Sequence, residues 1–354
     1  MSSKKLSIII PVYNSAGPLE KCIESVLNQT YTEFDLYLVD DYSTDGRSGE
    51  ICDRYARQDC RVHVIHHEKN CGLSISREDG FYANNSEWVS FIDNDDLIAP
   101  NLYEVMMKLV QDEHTDMVCI RGEDKIEEEM EHPIWGKREA EPFTLKGKEA
   151  CNKIYANELN FPLAQPIWGK MIKRSLIEKA RVDVLPYRER LYWVFFEDVL
   201  FTPMIFYHAD QVVFDNQLMY MHRRVKTNLS SSLQPKEFHY ESVEAGIEVL
   251  RFFEKYHLQE AFEKHIVGCF LNMQSIWYKV WKNEKDFQKK EWYNKLVDDI
   301  FDAYGNKLNT VKNKDVSTMI KKMNIAFFKW NRNLWGMTAG NLYFNVLNRK
   351  TYGA

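Results

Sequence analysis

The segment Phe91-Ile92-Asp93-Asn94-Asp95-Asp96 ends an apolar run with three carboxylates in four positions. Like charges this close repel one another unless a cation or hydrogen-bond donors compensate them. Hard divalent ions such as Mg²⁺ and Mn²⁺ take carboxylate oxygens together with substrate phosphates. The segment therefore reads as a place where a metal ion holds a phosphorylated ligand.

Such a site needs a frame, and the preceding residues supply the signals for one. Leu6-Ser7-Ile8-Ile9-Ile10, Leu36-Tyr37-Leu38-Val39, Val62-His63-Val64-Ile65 and Trp88-Val89-Ser90-Phe91-Ile92 are short, apolar and β-branched, as strands covered on both faces should be. Between the first two, Leu19, Ile23, Val26 and Leu27 share a helical face, and further helices are expected near 47–59 and 73–85. Strand and helix in alternation predict an α/β fold with a mainly parallel sheet, whose ligands gather beyond the carboxyl ends of the strands. There the chain places Pro11-Val12-Tyr13-Asn14, Asp40-Asp41-Tyr42-Ser43-Thr44-Asp45 and Asp93-Asn94-Asp95-Asp96. Three strands thus deliver polar groups to one edge.

At 354 residues the chain has room for two domains, or for one with a large extension. A net charge of −6 gives no general case for nucleic acid. Seven scattered cysteines, without a Cys-x-x-Cys pair, fit reduced thiols and a cytoplasmic protein. No apolar run reaches the roughly 18 residues that span a bilayer. After Pro100 a helix carrying Leu102, Val105, Met106 and Leu109 is expected, then a strand at Met117-Val118-Cys119-Ile120. Residues 123–148, rich in glutamate with Pro133, Gly136, Pro142 and Gly147, read as a loop or irregular insertion. Residues 149–225 are mixed and aromatic-rich, and the pattern beyond 235 is helical. Residues 315–354 have a net charge of +5 and carry Phe327, Phe328, Trp330 and Trp335. That combination fits peripheral contact with an anionic membrane surface or a partner, or equally a packed helix with solvated lysines. Self-association as a homo-oligomer is compatible with all of this.

Taken together, Ser7-Ile8-Ile9-Ile10-Pro11-Val12-Tyr13-Asn14, Leu38-Val39-Asp40-Asp41, Asn70-Cys71-Gly72-Leu73-Ser74 and Phe91-Ile92-Asp93-Asn94-Asp95-Asp96 resemble family 2 glycosyltransferases with the GT-A fold, of the bacterial cell-surface polysaccharide type. The likeness is strong over residues 5–110, weaker to 225 and absent beyond. It implies a nucleotide-sugar-binding half at 1–110, an acceptor-binding and catalytic-base half at 111–225, and a mainly helical C-terminal region at 226–354. By this resemblance Pro11, Val12 and Tyr13 would line the base and ribose pocket, with Asn14 beside them. Asp41 would accept a hydrogen bond from a uracil-type N–H, which suits an acceptor-only carboxylate; a turn or cap acid is its structural alternative. Asp93, Asn94 and Asp95 would form the family's Asp-x-Asp element, with Asp95 the first ligand of Mn²⁺ or Mg²⁺ and Asp93 on the ribose or a metal-bound water. Asp96 would cap a helix before Leu97.

The stretch Asn70 to Gly80 is similar to the family's Asn-x-Gly … Ala-Arg-Asn-x-Gly element, with Ser76 and Glu78 departing from it. It implies that Arg77 reaches the donor, an ion pair with a nearby acid being the alternative. Phe195-Phe196-Glu197-Asp198-Val199 resembles the Glu-Asp element that supplies the general base of inverting members, with Asp198 as base and Glu197 as fallback. Pro166-Ile167-Trp168-Gly169-Lys170 is similar to an upstream Trp-x-Lys element, implying acceptor contacts from Trp168 and Lys170; core packing is equally open for the indole. In Tyr220-Met221-His222-Arg223, His222 would complete the metal or diphosphate site, and Arg223 would pair with phosphate.

The implied activity is transfer of a sugar from a UDP-sugar to a hydroxyl of a glycan or lipid-linked acceptor, at the inner face of the cell membrane or in the cytoplasm. A nucleotidyltransferase and a non-catalytic nucleotide-sugar-binding scaffold are the alternatives. Neither a Gly-x-Gly-x-x-Gly nor a Gly-x-x-x-x-Gly-Lys-Ser/Thr loop is present, which removes dinucleotide and P-loop readings.

Overall fold

The computed structural model describes residues 5–110, 112–156, 158–159, 166–184, 197–224 and 237–266, with a few positions beyond; at 184, 197–198 and 237–244 it describes the backbone alone. The chain divides into two units, Met1–Ser232 and Leu233–Ala354.

The first unit is built on strands in the order β3-β2-β1-β4-β8-β6-β9-β5, with β7 paired to β9. Strand β1 (Leu6–Val12) is buried along its whole length, as its sequence, apolar except for Ser7, requires. It lies parallel to β2 (Phe34–Asp40) and to β4 (Trp88–Phe91), and β2 lies parallel to β3 (Val62–His66). The crossovers are α1 (Leu19–Leu27), α2 (Ser48–Gln58) and α3 (Leu73–Tyr82), close to the predicted ranges. Helix α1 turns Leu19, Cys22, Ile23 and Val26 into the core. Helix α3 packs so closely on β1 that a Cβ at Gly80 would lie 2.5 Å from Ile9 Cγ2.

The sheet then changes character. Strand β8 (Lys170–Lys173) is antiparallel to β4, and β6 (Thr115–Lys125) is antiparallel to β8. Two reversals restore the original direction. Strand β9 (Gln211–Arg223) runs parallel to β6 with register shifts near Thr115 and Arg121, so His222 and Arg223 emerge beside Asp124 and Lys125 at the edge where β1, β2 and β4 end. The sheet is flanked by α4 (Leu102–Lys108), α6 (Gly147–Tyr155), α7 (Arg174–Val184) and α8 (Glu197–His208) as well.

Two expectations are corrected. Residues 123–148 are irregular only over 132–142: the range also holds the end of β6, helix α5 (Glu127–Glu131) and strand β7 (Phe143–Lys146), which pairs antiparallel with β9. Strand β7 is held by backbone pairing while most of its side chains face outward, so no hydrophobic alternation marked it. Nor does a helix follow Asp96. Leu97–Ile98 form strand β5, antiparallel to β9.

In the second unit, α9 (Glu237–Lys255) buries Ala245, Val249, Leu250 and Phe253, and Leu258, Ala261 and Ile266 are buried further on. The basic aromatic segment 315–354 lies outside the described residues. Among the described residues no helix is long and apolar enough to cross a membrane.

Candidate functional site

The ends of the parallel strands are tied to one another by short polar side chains. Asn14, held at φ 49°, accepts from the backbone N–H groups of Thr44 (2.7 Å) and Asp45 (3.1 Å), clipping the loop after β1 to the loop after β2. Asn94 donates from Nδ2 to the Pro11 carbonyl at 2.8 Å, joining the loop after β4 to the end of β1. Asp41 N–H donates to Val12 O at 2.8 Å. Pro11 and Val12 are therefore buried parts of the frame, and of the four residues expected there Tyr13 and Asn14 are the exposed ones, Tyr13 at 45%.

Asp41 is buried, yet its carboxylate is well supplied with donors. Oδ1 accepts from His67 Nδ1 at 2.7 Å and from Cys71 N at 2.6 Å, and Oδ2 accepts from Gly72 N at 2.7 Å. Gly72 sits at φ 91°, a conformation open to glycine, and this turns the loop before α3 so that two consecutive amides face the acid. A carboxylate offers about four acceptor positions, so Oδ2 keeps capacity for one further N–H.

The acidic cluster lies one strand away. Arg77 is buried and donates to Asp93 Oδ1 at 2.5 Å. Helix α3 thus sets an arginine against the cluster, in the ion-pair arrangement considered for it. Asp96 is fully buried: Oδ2 accepts from Tyr220 Oη at 2.6 Å and Oδ1 from Arg223 N at 2.8 Å. Tyr220 Oη also accepts from Asp93 N at 3.3 Å, so one phenol braces both ends of the turn. Arg223 donates from Nε to Asp95 O at 2.7 Å and pairs with Glu127 at the start of α5.

Burial, with the charge of Asp93 added, pushes the Asp95 carboxyl up to about 6. Burial followed by Asp93 and Asp95 drives Asp96 well above the usual carboxylate range. The negative charge is under-compensated, which is the condition a cation relieves. Among the described residues, ligand atoms of Asp93, Asp96 and His222 all lie within 4.8 Å of one another. This oxygen-rich set with one imidazole fits a divalent ion of the Mn²⁺ class. Asp95, expected as the first ligand, flanks this group and is not one of its three members. His222 Nδ1 lies 3.0 Å from Asp124 Oδ1, the kind of contact that orients a ligating imidazole.

Trp168 is buried. Its ring stacks on Tyr220 with centroids 4.4 Å apart and on His222 at 5.3 Å, and it covers Gly122, where a Cβ would meet the indole at 2.4 Å. Lys170 is also buried, with Nζ bonded to the carbonyls of Pro166 and Trp168. Both lie in the interior beneath the site, not on an open acceptor surface. The side chains of Glu197 and Asp198 lie outside the described residues, although the backbone of both opens α8. Sequence reading gave no role to Tyr220, His67 or Asp124. The spacing Tyr220-x-His222 on a strand would have shown that Tyr220 and His222 share a face.

Residues 7–156 match the family model described as glycosyl transferase family 2. The chain carries a family 2 glycosyltransferase domain. It is 38% identical over 116 residues to glycosyltransferase GlyG of Streptococcus pneumoniae serotype 4, covering 33% of this chain and 38% of that protein. It is 32% identical over 239 residues to a cholesterol galactosyltransferase of Borreliella burgdorferi, covering 65% of this chain and 63% of that protein. The chain therefore spans less than two thirds of either relative's length. Among solved structures, Staphylococcus aureus TarS residues 1–349 in complex with UDP superpose with a TM-score of 0.61 at 15% identity, covering 99% of this chain and 92% of that one. The domain has the GT-A fold. Its family-model match ends at residue 156, just after α6, so strands β8 and β9, which complete the sheet, lie beyond it with α7 and α8.

Proposed function

We propose that this protein is an inverting, metal-dependent glycosyltransferase that moves a sugar from a UDP-sugar to a hydroxyl of a glycan or lipid-linked acceptor. The observation that carries the reading is the meeting, at one sheet edge, of a donor-supplied buried acid (Asp41) with an under-compensated acidic cluster facing an imidazole (Asp93, Asp95, Asp96, His222). The UDP named in the TarS complex supports the choice of nucleotide.

In this reading residues 1–110 hold the donor, 111–225 the acceptor and base, and 226–354 form the helical extension. Asp41 accepts the imide N–H of uracil, and Tyr13, exposed beside it, covers the base. Asp93, Asp96 and His222, with Asp95 beside them, would hold a divalent ion that offsets the charge growing on the diphosphate as the sugar bond breaks. Arg77 keeps Asp93 aimed at the cluster. Asp198, with Glu197 as the fallback, takes the proton of the attacking hydroxyl on the face opposite the diphosphate, and the anomeric centre inverts. Trp168 and Lys170 shape the acceptor side from beneath.

The test is a panel of nucleotide sugars incubated with the full chain and Mn²⁺. UDP release from one UDP-sugar, stopped by a chelator, is expected. Tight UDP binding with no turnover on any sugar identifies a scaffold instead, and release of sugar 1-phosphate, the leaving group when UMP is transferred, identifies nucleotidyl transfer.

A further inference from the structure

Beside Asp41 stands His67, whose side chain is only 8% exposed. Its Nδ1 is 2.7 Å from Asp41 Oδ1, and its Nε2 is 3.0 Å from Asp79 Oδ2, within ion-pair distance though off the line of a hydrogen bond. Its backbone N–H donates to Asp40 O at 2.9 Å, which fixes the chain next to the acid it serves. Asp79 lies on α3, two residues after Arg77.

The direction of the Nδ1 contact is set by chemistry. An ionised carboxylate only accepts, so the ring must carry its proton on Nδ1 to donate to Asp41. Asp41 Oδ1 is then filled by His67 and Cys71 N, and Oδ2 holds Gly72 N, which leaves one acceptor position on Oδ2. A carboxylate pinned on three sides cannot rotate to offer a different face. It can discriminate between a base edge that presents N–H and one that presents a bare nitrogen.

We infer that His67, backed by Asp79, is a positioning residue for base recognition: it locks the Asp41 carboxylate so that its free acceptor position selects an imide N–H, and so uracil over cytosine. The inference rests on the donor-site reading of Asp41 given above. Cytosine has no hydrogen at N3, and its lone pair would face the carboxylate oxygen, so the lock penalises the wrong base as well as favouring the right one.

Calorimetric titration of the full chain with UDP and with CDP, in the presence of Mn²⁺, tests this. His67→Leu is expected to weaken UDP about 10-fold while leaving CDP within about 2-fold, as loss of one charge-assisted restraint implies. His67→Asn places an amide nitrogen near the former Nδ1 and should recover most of the preference for UDP. Asp79→Ala, which leaves the Nδ1 contact in place, should reduce the preference by about 3-fold and serves if His67→Leu does not fold. Equal weakening of UDP and CDP in His67→Leu, or an unchanged preference, overturns the role of His67. Asp41→Asn separates the two readings. If it leaves the preference for UDP intact, the base-binding role of Asp41 itself is wrong and this inference falls with it; if it abolishes the preference while His67→Leu does not, only the inference about His67 falls.

Discussion

In the β3-β2-β1-β4 half of the sheet Asn14, Asp41 and the acids at 93–96 follow the carboxyl ends of parallel strands, and short side chains such as Asn14 and Asn94 stitch the loops together. In the β8-β6-β9 half the same edge is reached by two reversals of direction and by register shifts along β6 and β9. The first half exposes polar groups on turns; the second carries His222 on a strand, over a bed of Trp168 and Tyr220. The difference is one of support. Loop residues in the first half are held by hydrogen bonds, while His222 is held largely by the packing of large rings.

If the two halves divide the chemistry, with donor contacts from one and the base from the other, the sharpest break is at Asp198. Asp198→Asn keeps the shape and removes the proton acceptor, so transfer should fall roughly 10²–10⁴-fold with UDP affinity within about 2-fold of the parent. Single-turnover kinetics and UDP titration read the two quantities. Normal turnover removes Asp198 from the mechanism and transfers the role to Glu197. A parallel loss of UDP affinity would mean that the division between the halves is not clean.

A smaller effect is expected at the seam. His222→Ala takes one ligand from the Asp93–Asp96–His222 group, and the Mn²⁺ concentration for half-maximal activity should rise about 10–100-fold, as loss of a metal-site partner generally does. Asp95→Asn is the companion variant. If it raises the Mn²⁺ requirement as much as His222→Ala does, Asp95 swings in to ligate; if Asp96→Asn alone does so, the geometric group is the working one. Manganese titrations of the three proteins decide, and a requirement unchanged in all three rejects metal assistance at this cluster.

The asymmetry between the halves also explains what could be read without a structure. The parallel strands announce themselves because burial on both faces leaves apolar runs such as Ile8–Val12, and their polar sequels stand out by contrast. The acids at 93–96 were legible as a cluster, but their division of labour was not. Asp96 was expected to cap a helix, whereas it is buried under Tyr220 and the Arg223 amide, partners 124 and 127 positions away. No local signal encodes such a pairing. His67 was hidden for the same reason, since its bond to Asp41 spans 26 positions. In the second half, β7 turns most of its side chains outward and α5 buries only Met130, so neither leaves a period to find. Trp168 was legible as a large ring near the site, but its direction, inward onto Tyr220, follows from the register of β6 and β9.

The finest probe of the contrast uses two buried glycines, one in each half. A Cβ at Gly80 would meet Ile9 Cγ2 at 2.5 Å, and one at Gly122 would meet the Trp168 ring at 2.4 and 3.0 Å. Each substitution overpacks a tight contact, so Gly80→Ala and Gly122→Ala should each cost about 1–3 kcal/mol in denaturant unfolding. Their consequences for function should differ. Ile9 is a β-branched core side chain on β1 that makes no contact with His222, so its displacement is taken up between sheet and helix. The indole is a rigid plate already stacked on Tyr220 and His222, and displacing it moves the imidazole and the phenol that braces Asp93 and Asp96. Gly122→Ala should therefore raise the Mn²⁺ requirement several-fold, less than His222→Ala, while Gly80→Ala at equal loss of stability leaves it unchanged. Equal metal requirements in the two variants would show that ring packing does not set the position of His222, and the two halves would then be supported alike.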